Sequence, residues 1–194
     1  MWTHFQSAVK PLPASERADK GLKLAQRAIA FLQRRVKLSS VDPVLLQGVA
    51  MFCETAAVLA LESERFVESK DLLIIAEQYR GDAVKFYALR SDQQESNARA
   101  EWAETLANLA GATYYAAIQD YEKPEGKQPS RESILANLRK AEDFANRSID
   151  QFKILAENQE LSKEDRQLIS TLRTTQLLIK QSIEELEKEP PKIK

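Results

Sequence analysis

Proline placement divides this chain more sharply than any other feature. The seven prolines sit at Pro11, Pro13, Pro43, Pro124, Pro129, Pro190 and Pro191, leaving long intervals without one. A proline inside a helix removes an N–H donor and clashes with the preceding turn, so these intervals are where helices can form. They are filled with Ala, Leu, Glu, Gln, Lys and Arg, the strongest helix formers. Strand signals are absent. The expected fold is all-α, a single domain over residues 1–190.

Caps and apolar stripes divide the intervals into about six long helices. Ser15 precedes a first helix whose Leu22, Ala25, Ile29, Leu32 and Val36 form one stripe. A second stripe (Leu24, Ala28, Phe31, Leu38) predicts packing against more than one neighbour. Asp42-Pro43, an N-cap followed by proline at the first helical position, opens helix two, Val44 to Glu62. Helix three holds RFVESKDLLIIAEQY, residues 65–79, and reaches Leu89 if Gly81 is tolerated. Ser91-Asp-Gln-Gln94 reads as a capping box for helix four, which runs to about Tyr121. The stretch DYEKPEGKQPS, residues 120–130, reads as an exposed loop. Ser130 caps helix five, which ends near Glu157, and Ser162 with Asp165 starts helix six. There Ile169, Leu172, Gln176, Ile179, Ile183 and Leu186 follow heptad spacing. Short connections between long helices predict antiparallel hairpins. Residues 1–14 form a separate N-terminal segment in which Trp2, Phe5, Val9 and Leu12 keep helical spacing. It is expected to dock on its own bundle, and residues 188–194 to form a flexible tail.

Several chemistries are out of reach. With one histidine, His4, and one cysteine, Cys53, the chain cannot build a Cys–His zinc site. Nor can it supply the paired Glu-x-x-His motifs of a di-iron bundle. A Ser-His-Asp mechanism would depend wholly on His4. The five glycines are isolated, which excludes a phosphate-cradling loop. Glu184-Glu185 and Glu142-Asp143 read as solvated faces, and Cys53 as a small core residue. No catalytic, cofactor-binding or metal-binding residue is assigned, and a non-enzyme is expected. No run resembles a signal peptide or approaches eighteen uncharged apolar residues, so the cytoplasm is the expected compartment and no membrane span is expected.

Charge is uneven. Residues 1–40 carry eight Lys or Arg against Glu16 and Asp19, residues 41–120 are net −7, and the rest is neutral. The basic first helix either presents a partner-binding face or lies against acidic neighbours. Lys20, Lys23, Arg27, Arg34 and Arg35 allow a nucleic-acid reading, which the acidic remainder opposes.

The pattern Phe66, Ser69, Leu73, Ala76 resembles the second helix of a tetratricopeptide repeat, where small residues let helices approach and a large one fills the gap. Ala56, Ala57 and Ala60 precede it as first-helix small positions, and Leu106, Leu109 and Ala110 repeat that spacing. Similar triples occur at Ala18, Leu22, Ala25 and at Ala141, Ala145, Ser148. They do not recur at the 34-residue period of that repeat, so a tetratricopeptide-like array and a plain six-helix bundle both stand. The resemblance implies a groove that holds a protein or peptide partner. In it, Asn108 falls where such arrays place a groove asparagine, with Arg99 and Lys85 disposed toward an acidic peptide. Aromatic anchors are expected from Trp102 and Tyr114, among the aromatic residues of helices three and four.

Overall fold

The computed structural model describes residues 7–9, 14–38, 42–90, 94–124 and 127–188. Six helices follow in order: α1 (Ala14–Leu38), α2 (Pro43–Leu61), α3 (Phe66–Ala88), α4 (Glu95–Tyr121), α5 (Arg131–Asn158) and α6 (Lys163–Lys188). Residues 7–9 are also helical, and the described residues contain no strand. The fold is all-α.

Side-chain caps explain three of the six starts. The Asp42 carboxylate accepts from the Val44 N–H at 2.9 Å, with Pro43 in the first turn. Ser130 Oγ accepts from the Ser133 N–H at 3.2 Å. Ser162 and Asp165 cap each other: Asp165 N–H donates to Ser162 Oγ at 3.0 Å, and Ser162 N–H to Asp165 Oδ2 at 3.1 Å. Each such bond satisfies a donor that the first helical turn leaves orphaned. Ser15 differs from expectation, because α1 already begins at Ala14 and Ser15 lies inside its first turn. Of the expected capping box at 91–94 only Gln94 lies within the described residues, and its side chain makes no cap bond. The tail beyond Lys188, and Trp2, Phe5 and Leu12, lie outside the described residues.

The turn between α2 and α3 has neither glycine nor proline. Glu64 adopts a left-handed φ of 56°, while Arg65 N–H reaches back to Ala60 O and Glu64 N–H to Leu61 O, both at 2.9 Å. That is a Schellman-type closure with a glutamate where glycine is usual. Gly81 does not end α3, because the indole of Trp102 lies against it, 3.3 Å from where a Cβ would stand.

Every hairpin is antiparallel, as side-chain pairings show. Gly21 meets Leu59 and Leu32 meets Gly48 between α1 and α2. Phe66 meets Tyr115 and Arg80 meets Glu101 between α3 and α4. Arg99 bonds Gln151 and Ser148 bonds Ala103 between α4 and α5. Asn146 bonds Gln176 and Arg139 bonds Glu187 between α5 and α6. Each helix packs chiefly on its sequence neighbours. Shorter links then join alternate helices: Gln26 to Glu68, Thr105 to Glu54 and Arg147 to Glu77. The apolar interior follows this order as a string of clusters. The largest joins Leu22, Ala25 and Ile29 to Ala56, Leu73, Ala76 and Leu109. Val9 is buried in it, so the N-terminal segment docks on its own bundle at that residue. Ser69 is fully buried on the face of α3 that carries Leu73 and Ala76.

Pro43–Leu61, interrupted by the single charge Glu54, is long and apolar enough to cross a membrane by length and composition alone. In this fold it is a core helix, packed between α1 and α3 with nine buried residues.

Candidate functional site

An open groove of about 500 Å³ lies between α1 and α3 and extends to the end of α4. It lies where α1 and α3, both laid on α2, are joined at the surface by polar links. Gln26 Nε2 donates to Glu68 Oε1 at 3.4 Å, and Arg65 pairs with Asp19. The left-handed turn at Glu64 sets Arg65 and Phe66 at the groove's end. Phe66, Val67, Leu72 and Ile75 supply apolar lining, and Gln26, Glu68, Asp71 and Gln119 supply the polar part. Phe66 stacks on Tyr115 with ring centroids 5.7 Å apart and planes 28° from parallel. Arg65 is balanced by Asp19 and Glu68, whereas exposed Asp71 has no cation among the described residues. The α3 side of the groove is therefore acidic. Apolar side chains can enter it, the two glutamine amides can bond a peptide backbone, and a cation can meet Asp71.

The residues expected to bind a partner do not converge there. Asn108 is exposed on α4. Tyr114 is half-buried and packs on the cluster of Ala117, Ile134, Leu138 and Leu186. Arg99 is held by Glu95 and Gln151, and Lys85 by Asp82. Trp102 lies on Gly81 and donates its indole N–H to Glu77 at 3.2 Å. Residues seven and eleven positions after Asn108, namely Tyr115 and Gln119, share its exposed helix face and extend to the groove. Of the tyrosines of this helix, Tyr114 is the one expected to anchor a partner, whereas its neighbour Tyr115 is the one that extends to the groove. The spacing from Asn108 was the available signal.

A buried polar network was also missed. Arg80 lies four residues after Ala76 and seven after Leu73, on the stripe that should be apolar, and it is buried. It holds Glu54 through two bonds and Glu101 through a third. The Thr105 hydroxyl lies 2.5 Å from Glu54 Oε1 and 2.9 Å from the Glu101 carbonyl, so its one proton serves one at a time. Burial pulls the Arg80 pKa down. The Glu54 bonds and the charges of Glu54, Glu101 and Glu104 outweigh it, and the net shift is upward. Glu104 moves up from the usual carboxylate range through desolvation first, then through Asp165, Glu54 and Glu101. Cys53 is fully buried, and burial, with Glu54 adding, pushes its thiol to about 12. It therefore stays protonated and out of solvent at neutral pH. Among the described residues no group of three or more His, Cys, Asp or Glu is placed to hold a metal ion.

The fold and groove define an all-α succession of helical hairpins with an open concavity between α1 and α3. No protein-family model, curated protein or solved structure matches the chain.

Proposed function

We propose that this chain is a non-enzymatic interaction module, a tetratricopeptide-like helical array that acts as an adaptor or regulator by seating a peptide segment of a partner protein. The observation that carries this reading is the open groove between α1 and α3, with apolar lining, flanking amides and an acidic side. The small residues Ser69, Ala76, Ala56 and Ala57, all buried, support the array reading, since small side chains let helices approach closely. Arg99 and Lys85 already hold carboxylates, so the groove's own charge favours a segment with apolar residues beside a cation.

Affinity capture from the native lysate tests it. The parent chain is compared with Val67→Asp/Asp71→Lys in the groove and with Leu178→Glu on the exposed side of α6. A protein retained by the parent and the α6 variant, and lost by the groove variant, supports the reading. Equal retention by all three, or nothing above background, removes it.

A further inference from the structure

We infer that the outward face of α1 is a second docking surface, shaped for an acidic protein segment with an apolar residue at its centre. Lys23, Arg27, Phe31 and Arg34 follow one another at spacings of four, four and three, which places them on one stripe roughly 17 Å long. All four are exposed, and Phe31 keeps 47% of its surface open to solvent. α1 packs on α2 through its opposite face, Leu22, Ala25 and Ile29, and among the described residues no helix covers this one.

The charge on the stripe is uncompensated. Among the described residues Lys23, Arg27, Arg34 and Arg35 have no carboxylate partner. Elsewhere Arg65, Arg80, Arg99, Arg139, Arg147 and Arg166 each hold one, whereas Arg90, Arg131 and Arg173 hold none among the described residues. Lys20 is neutralised by Glu16. Four free cations around one exposed aromatic ring therefore stand at one edge of a chain whose residues 41–120 are net −7.

Opposite charge fixes the sign of the partner, and the ring fixes its class. Arg35 lies over Phe31, 5.6 Å from the ring centroid, which leaves an apolar anchor bracketed by cations. Carboxylates on either side of an apolar side chain complement that arrangement, and an aromatic anchor inside a charged border is the usual anatomy of a protein-binding hot spot. A nucleic-acid backbone would gain little from the anchor. It would also find only a short stripe of cations, with fewer phosphate contacts than tight binders make.

The probe is a labelled synthetic helical peptide with glutamates on one face around a central leucine, titrated by anisotropy against the full chain. We expect saturable binding that weakens with salt, falls about tenfold with Phe31→Ala and is lost with Arg27→Glu/Arg34→Glu. Arg173→Glu, which alters an exposed cation on α6, should leave binding unchanged. The inference is overturned by no binding at low salt, or by undiminished binding of Phe31→Ala, which would mean ion exchange alone. Equal weakening by Arg173→Glu also overturns it. So does tighter binding of a single-stranded oligonucleotide of matched charge, which would assign the stripe to phosphate.

Discussion

Arg80 and Glu54 meet in parallel, Nε to Oε1 at 3.0 Å and Nη2 to Oε2 at 2.8 Å, with the arginine side chain only 8% exposed. The pair joins α3 to α2, and Arg80 also reaches Glu101 on α4, so one guanidinium fixes the relative placement of three helices. Replacing Arg80 with Met would leave two carboxylates facing each other without their cation. The expected loss is about 3–5 kcal/mol, the range for removing one partner of a buried pair. Urea unfolding measures it, and a loss under about 1 kcal/mol would show that water enters and screens the site.

Ser69 carries a different kind of strain. It is fully buried and its hydroxyl has no hydrogen-bond partner. An unsatisfied buried polar group costs roughly 1–3 kcal/mol, so Ser69→Ala should be neutral or stabilising. Ser69→Leu should cost roughly 1–3 kcal/mol by overpacking the stripe it shares with Leu73 and Ala76. Thermal unfolding of the two variants should move in opposite directions. A destabilising Ser69→Ala would mean that the hydroxyl has a partner in solution, such as a bound water.

These two residues also show where the sequence was legible and where it was not. Local signals held for the caps at Asp42, Ser130 and Ser162 and for the heptad of α6, where Leu172, Ile179 and Leu186 are buried, but not for the cap at Ser15. They depend on bonds within a few residues of chain. The buried Arg80 depends on Glu54 and Glu101, which lie 26 and 21 residues away, and nothing local announces that meeting. The groove is harder still. It is a space left between α1 and α3 by the helix that separates them, and its end is set by a turn with no glycine or proline. Tyr115 and Gln119 could have been found from the helical period, because they repeat the exposed position of Asn108.

Glu64 is the residue that this turn strains. Its φ of 56° suits glycine, and an L side chain there meets the following carbonyl. Glu64→Gly should stabilise the chain by up to about 1 kcal/mol, reduced by the extra freedom glycine gives the unfolded state. A loss of stability would show that the Glu64 side chain contributes more than its backbone costs.

Gly111 is the opposite case. It lies inside α4, and a Cβ built there meets nothing within 4 Å. Gly111→Ala should therefore gain roughly 0.5–1 kcal/mol of helix propensity without a clash. At Gly21 a Cβ would stand 2.7 Å from Leu59, so Gly21→Ala should gain less or lose stability. If both variants gain equally, the contact between α1 and α2 is looser than this packing requires.

Glu104, although exposed on α4, carries an upward shift that predicts a pH-dependent stability. Desolvation and the nearby Asp165, Glu54 and Glu101 hold its folded pKa above the usual carboxylate range. The folded state therefore binds this proton more tightly than the unfolded state. The resulting stability is fully present below the ordinary carboxylate pKa and is lost as pH rises through the folded value. Glu104→Gln cannot ionise, so it should be more stable than the parent at neutral pH and match it in acid, where both side chains are neutral. Urea midpoints at neutral pH and below the carboxylate range give the comparison. A difference of the same size at both pH values would show that packing, and not the crowding of carboxylates around Glu104, is what the substitution changed.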